Sequence, residues 1–110
     1  MRITGANAVQ GLDSGEQDYT HVCTTITSSG STTVYTPASE RRIRLHWTYA
    51  ISDPDGSSNP LIQVFIGANE KFRAYAISKR QVVTGEVDES LSITLSKAGS
   101  VAVTFLIEEF

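Results

Sequence analysis

Alternation of apolar and polar side chains in residues 41–51 constrains the fold more than any other feature of this sequence. Apolar residues recur at every second position, at Ile43, Leu45, Trp47, Tyr49 and Ile51, and the positions between them are Arg42, Arg44, His46, Thr48 and Ala50. A period of two is the signature of a β-strand with one buried face. The pattern predicts such a strand with Trp47 at the centre of the core, where truncation to Ala is expected to cost about 3–5 kcal/mol.

Further strands are predicted along the chain. The same alternation recurs at residues 91–96 and 101–107, and weaker segments rich in β-branched and aromatic residues lie at 20–28, 31–37, 61–67, 71–77 and 81–84. Short connections containing Gly, Pro, Asn and Asp separate them, which favours antiparallel neighbours. We expect an all-β fold, an antiparallel β-sandwich of about eight short strands with a jelly-roll or an immunoglobulin-like topology.

Length and composition limit the organisation of the chain. With 110 residues the chain has room for one domain. Residues 1–18 show neither the helical nor the strand period and are predicted to form a flexible N-terminal arm, followed by a single sandwich at residues 19–110. Cys23 is the only cysteine, so no intrachain disulfide is possible. No apolar stretch reaches the roughly 20 residues of a membrane helix and no secretory signal is evident, so we expect synthesis in a cytoplasm and no membrane partner.

The charge balance bears on the partners. Nine Lys and Arg residues against twelve Asp and Glu residues give a net charge of −3. A chain without a cationic field does not attract polyanions over a distance, so no nucleic-acid partner is expected.

Two segments contain possible metal ligands. His21 and Cys23 are two residues apart and would share one face of a strand, but His46 belongs to a different strand and the ligand set stays incomplete. The loop at residues 53–59 alternates oxygen-bearing side chains with a glycine, as calcium loops do, but Val64 stands where the bidentate glutamate is needed. We therefore expect no metal, and a turn at residues 53–59.

Catalytic constellations are missing as well. His21 and His46 are the only side chains with an ordinary pKa near neutrality, and both fall within strand patterns. No serine lies in a nucleophile elbow, and no glycine-rich loop leads into a helix. The acidic groups at residues 86–89 and 108–109 are better explained as a solvated surface than as a glycosidase pair. The expectation is a protein that is not an enzyme, with no catalytic residues and no cofactor.

A surface for binding remains, with five candidate interface residues: Arg42, Arg44, His46, Tyr35 and Phe110. The first three share the outward face of the predicted strand, where they either form a solvated face that discourages edge pairing or dock an acidic partner. Phe110 is expected either to tuck against the domain or to insert into a neighbouring subunit. Of the other aromatic residues, Tyr75, like Tyr35, is a candidate platform for stacking on a sugar.

Three segments carry a resemblance to a known group of proteins. Residues 33–38 (TVYTPA), 42–45 (RIRL) and 100–104 (SVAVT) resemble small all-β virion proteins of tailed bacteriophages and prophages, over roughly residues 32–109. The resemblance implies a β-sandwich that assembles, often as a homotrimer, on the capsid as a decoration or cement protein, or on the tail. It carries no individual functional residue across, because those proteins act through whole surfaces.

The expectation drawn from the sequence is therefore a non-enzymatic bacteriophage structural protein. It would be made in the host cytoplasm and reside in the virion as a homo-oligomer, with a trimer favoured, bound to capsid or other virion proteins as a decoration or cement protein. The alternatives are a tail-fibre or baseplate component and a carbohydrate-binding module.

Overall fold

A computed structural model describes residues 18–52 and 59–110, and it is built of β-strands alone. No helix lies in those two ranges, and so none that is long and apolar enough to cross a membrane. Nine strands follow one another along the chain: β1 Asp18–Ile26, β2 Gly30–Tyr35, β3 Ile43–Ser52, β4 Ile62–Ile66, β5 Asn69–Ala74, β6 Ala76–Lys79, β7 Val83–Thr84, β8 Leu91–Leu95 and β9 Val101–Glu109.

The strands form two antiparallel sheets packed face to face, which confirms the predicted β-sandwich. The first sheet has the order β1-β9-β3-β6, with the two-residue β7 also paired with β3, and the second has the order β2-β8-β4-β5. With β7 set aside, the first strand pairs with the last, the second with the next to last, the third with β6, and β4 with β5. Such nested pairs define a jelly roll, so the immunoglobulin-like alternative does not apply.

The core lies between the two sheets. The alternating segments predicted near the C-terminus face it as expected, since Leu91, Ile93 and Leu95 of β8 are fully or almost fully buried, as is β9 at every second residue. Strands β3 and β4 complete the centre, and the largest ring without solvent exposure is that of Phe105. Burial of these apolar side chains supplies the main driving force for folding.

The prediction for the second half of β3 was wrong. The register with β9 shifts by one residue between Leu45 and Trp47, a β-bulge that inserts His46. A one-residue shift moves every later side chain to the other face of the sheet. Ile43 and Leu45 therefore point into the core as predicted, whereas Thr48, Ala50 and Ser52 replace the expected residues there. Trp47 lies half-buried on the outer face of the first sheet.

Two further predictions concern the boundaries. The single strand predicted at residues 71–77 is two strands, because the chain leaves the second sheet after Ala74 and enters the first sheet at Ala76. The predicted count of eight thus becomes nine. The sandwich begins with β1 at Asp18, and residues 1–17 of the predicted arm lie outside the described residues, as do residues 53–58 of the predicted turn.

Candidate functional site

The two sides of the sandwich differ in how they are closed. On one side the edge strands are β5 and β6, and the chain crosses directly between them at Tyr75. On the other side the edge strands are β1 and β2, joined only by the turn at residues 27–29. Each of these two strands has a partner on one flank alone among the described residues. The β1/β2 side therefore offers two unpaired strand edges, one from each sheet.

A cleft of about 310 Å³ lies between these two edges. Its walls are Val22 and residues 24–28 of β1 and the following turn, and residues 32–34 of β2. Valine, isoleucine, threonine and serine side chains make up this lining, and none of them carries a charge. Such a lining suits an uncharged, extended segment that satisfies the backbone groups of a strand edge and buries small apolar side chains.

Charge separates the two sides of the molecule. The opposite edges carry Glu70, Lys71 and Arg73 on β5 and Lys79 on β6. No Asp, Glu, Lys or Arg occurs between residues 19 and 39, which includes all of β2 and all of β1 after its first residue. Proteins commonly protect edge strands from unwanted pairing with charged side chains, lysine above all. The β5 and β6 edges have this protection, whereas the β1/β2 side does not.

The uncharged β1/β2 side was not predicted as a candidate surface from the sequence, although the sequence contains a signal for it. A run of 21 residues without a formal charge stands out in a chain where about one residue in five is charged. What the sequence does not reveal is that two strands of this run form the edges of different sheets on the same side.

Four of the five predicted interface residues lie close together on the outer face of the first sheet, around Glu108 and the C-terminus. The register places Tyr19 and Arg44 on the two sides of Glu108. Arg44 Nη1 donates to Glu108 Oε1 at 3.1 Å, and His46 Nε2 donates to the same oxygen at 2.7 Å. The ring of Tyr19 packs against that of His46 with 5.6 Å between centroids. These neighbours leave Glu108 only 2% exposed although it points away from the core.

Phe110 takes the first of its two predicted alternatives and packs against its own domain. Its backbone exchanges two hydrogen bonds with Arg42, of 2.6 and 2.9 Å. The guanidinium groups of Arg42 and Arg44 lie over its ring, 5.4 and 4.3 Å from the centroid. Cation–π contacts of this kind fix the ring and both arginines in place. These groups therefore hold the end of β9 to β3.

Tyr35, the fifth candidate, is the last residue of β2 and is half-buried. Its ring packs against the core and its hydroxyl donates to Glu109 Oε1. The backbone N–H of Ala38 donates to the other carboxylate oxygen at 2.9 Å. The Tyr35 hydrogen bond, the Ala38 hydrogen bond and the nearby charge of Arg41 together lower the pKa of Glu109 below its ordinary value. These contacts hold the ring in place, and its role as a stacking platform stays a prediction.

Other aromatic residues are available to solvent. Tyr75 is 60% exposed at the crossing between the sheets, which leaves its prediction as a stacking platform open. Tyr19, 55% exposed, shares the outer face of the first sheet with the half-buried Trp47 and Tyr49. The rings of Trp47 and Tyr49 are 6.0 Å apart, and Arg80 lies 5.3 Å from the centre of the indole.

Within the part of the chain that the structure describes, the candidates for metal binding and catalysis do not come together as a site. His21 and Cys23 share the outer face of β1 as predicted, and both are exposed. No group of three or more possible metal ligands occurs in residues 18–52 and 59–110. Asp88 accepts a hydrogen bond from the backbone of Glu40 at 2.6 Å, and Glu89 accepts one from Glu86 at 2.9 Å, so both carboxylates shape their loops.

Comparisons with known proteins add little to this description. No protein-family model matches the chain, and no curated protein matches it. Among solved structures, it is similar to a chain from Bacillus endospore appendages, described as a novel family of disulfide-linked pili, at 12% identity and a TM-score of 0.49, over 93% of this chain and 96% of the other. At that identity and TM-score the similarity carries no argument about what this protein does.

Proposed function

We propose that this protein is a non-enzymatic structural subunit that associates with copies of itself through the β1/β2 side of its sandwich. The observation that carries the proposal is the contrast between the two sides. Charged side chains protect the β5 and β6 edges, whereas β1 after Asp18 and β2 carry no charged side chain and, among the described residues, present two unpaired edges with a neutral cleft between them. An unprotected edge is a template for pairing with another chain, and here two of them lie together.

The finer proposal is that the assembly belongs to a bacteriophage particle, as a decoration or cement protein on the capsid. It rests on the resemblance of residues 33–38, 42–45 and 100–104 to small virion proteins. The jelly roll is compatible with it, because viral capsid proteins use this architecture. Lectin domains use it too, so the fold alone does not decide between the two functions. A trimer is the assembly we favour.

The oligomeric mass of the purified full-length chain, measured by light scattering, is the first test. We expect a trimer. A second measurement asks whether the protein is retained on capsids of the phage or prophage that encodes it, after unbound protein has been washed away. A monomer at every concentration contradicts self-association, and an oligomer that does not bind the particle contradicts the virion assignment alone.

Substitutions that add charge to the β1/β2 side test which surface is used. Thr24 and Thr33 are exposed residues that line the cleft, so Thr24→Lys with Thr33→Lys is expected to leave the fold intact and to give a monomer. The matched control is Asn69→Lys with Ser78→Lys, two exposed positions on the charged edges β5 and β6. The control is expected to remain oligomeric. Dissociation by both pairs, or by the control alone, contradicts the assignment of the surface.

A second candidate function is carbohydrate binding through exposed aromatic rings. It is favoured by the placement of Tyr19, Trp47 and Tyr49 on one solvent-facing sheet surface and by the exposure of Tyr75. A glycan array separates the two candidates. A specific hit that is lost in Tyr19→Ala or Tyr75→Ala, and kept in Tyr35→Phe, supports this second function, whereas an array without hits contradicts it.

A further inference from the structure

We propose that the occupant of the β1/β2 cleft is the segment at residues 3–12 of a second copy of this chain, bound as an added strand. This inference rests on the proposed self-association and names the part of the partner that carries it. Three properties support the assignment: the length of the segment, its lack of charge, and the position of the acidic residues that follow it.

The length of the segment at residues 3–12 matches the length of the β1 edge. At about 3.3 Å per residue, ten extended residues span about 33 Å. The nine-residue β1 is about 30 Å long by the same rule, so one segment matches the whole edge. Five residues, 13–17, remain to connect the segment to β1 of its own copy. That connection lets a segment leave one molecule and lie along the next.

The side chains of the segment match the lining of the cleft in charge and size. Residues 3–12 read ITGANAVQGL and contain no Asp, Glu, Lys or Arg. Their apolar side chains are mostly small, which suits a cleft of about 310 Å³ with valine, isoleucine and threonine walls. A strand added to a sheet edge satisfies backbone donors and acceptors that otherwise face solvent, and alternate side chains enter the cleft. Neither the segment nor the lining has a charge that must be desolvated.

Acidic residues disfavour the alternative in which the segment folds back on its own β1. Such a hairpin would have to turn within residues 13–17, which include Asp13 and Glu16. The turn would lie next to Asp18, which is paired in register with Glu109 at the end of β9. Like charges brought together at one turn repel one another. Binding to another copy lets residues 13–17 extend away from this acidic end.

Head-to-tail contact of this kind uses one segment and one cleft per molecule. A contact between two different surfaces closes into a ring when the rotation between copies allows it, and a trimer is the smallest ring beyond a dimer. The inference therefore accounts for an oligomer larger than two without a second type of interface.

Cross-linking between two variants of the full chain tests the inference. One chain carries Val9→Cys and the other Thr24→Cys, both in a Cys23→Ser background, and an affinity tag on one makes the mixed product distinguishable by mass. After mixing, dissociation and reassembly, a short bismaleimide is expected to give the mixed dimer. Asn69→Cys replaces Thr24→Cys in the control, because Asn69 is exposed on the far edge. The control is expected to give at least tenfold less mixed product.

The outcomes separate this inference from the proposed function. If the protein is oligomeric and the Thr24→Cys mixture gives no more mixed product than the control, the occupant is not residues 3–12 and self-association stands. If one chain carrying both Val9→Cys and Thr24→Cys cross-links internally while the mixture gives no mixed product, the segment folds back on its own sandwich and the inference is wrong. If the native protein is a monomer by light scattering, both proposals fail.

Discussion

His46 Nε2 lies 2.7 Å from Glu108 Oε1, and the two residues come from neighbouring strands at the bulge of β3. A carboxylate has only acceptors, so the imidazole nitrogen carries the proton in this contact. Arg44 donates to the same oxygen. Arg44 and His46 are alternate residues of one strand and therefore share its outer face, where Glu108 of the neighbouring strand β9 lies.

Removal of the charge on Glu108 is expected to destabilise the protein. Glu108→Gln keeps the shape of the side chain but weakens both contacts, at a position that is 2% exposed. We expect a loss of about 2 kcal/mol in the free energy of unfolding, measured by urea denaturation. Glu86→Gln is the matched control, since Glu86 is 78% exposed and 4.0 Å from Arg42. The control is expected to cost less than about 0.5 kcal/mol, and equal losses for the two variants contradict the importance of burial.

Stability should depend on pH through Glu109. The hydrogen bonds from Tyr35 and Ala38 lower the pKa of Glu109 below its ordinary value of 4.5. A carboxyl whose pKa is lower in the folded state stabilises the protein above its unfolded-state pKa, and this contribution is lost as the pH falls through the folded-state pKa. We therefore expect Glu109→Gln to be less stable than the native protein at pH 7 and the difference to shrink below about pH 4.5.

Urea midpoints at several pH values between 7 and 3 measure this difference. Tyr35→Phe removes the donor with the largest effect on the pKa of Glu109 and should behave like a weaker Glu109→Gln, with a loss of about 1 kcal/mol at pH 7. A deficit of either variant that stays constant down to pH 3 is incompatible with the role of the carboxylate charge.

The period of two in the sequence predicted both the strand and its buried face correctly where the strand has no bulge. In β8 the apolar residues alternate with serine and threonine, and in β9 every second residue from Val101 to Ile107 is a large apolar one; in both strands this apolar side faces the core. In β3 the sequence does not reveal the bulge. Trp47, Tyr49 and Ile51 continue the apolar alternation of the sequence, although the register of the strand with β9 shifts by one residue before them. The register of β3 with β9 then determines which side chains after the bulge face the core.

Contacts between residues on distant strands could not be predicted from the sequence either, because they also depend on which strands pair and in which register. Arg44 and His46 were correctly selected as neighbours on one strand, but their shared acceptor is 62 to 64 residues further along the chain. Glu108 looked like one of two solvated carboxylates near the C-terminus. Only the pairing of β3 with β9 brings the three groups together and buries the carboxylate.

Trp47 provides a direct test of the corrected face. The indole is half-buried under Arg80 on the outer face, so Trp47→Ala should cost about 1–2 kcal/mol rather than the 3–5 kcal/mol expected for a core ring. Phe105→Ala, at the fully buried ring of β9, should cost about 3–5 kcal/mol. Denaturation of both variants gives the comparison. A larger loss for Trp47→Ala than for Phe105→Ala would place the indole in the core.

Thr48 is the first of the three residues after the bulge that face the core in place of larger apolar side chains. It has no solvent exposure, and its Oγ1 has no hydrogen-bond partner among the described residues. A buried hydroxyl without a partner loses its hydration and gains nothing in return. Thr48→Val exchanges the hydroxyl for a methyl group of similar size, so we expect the free energy of unfolding to rise by about 1 kcal/mol.

Thr48→Ser is the matched variant, because it keeps the hydroxyl and removes the methyl group. We expect it to lower the free energy of unfolding by about 1 kcal/mol, as deletion of one buried methyl group does. Thermal and urea denaturation of both variants at pH 7 measure the two changes. The opposite signs are decisive, since a threonine whose hydroxyl is bonded in solution would lose stability in both variants. A destabilised Thr48→Val would therefore show that the hydroxyl has a partner, and the bulge would then bring a satisfied polar group into the core.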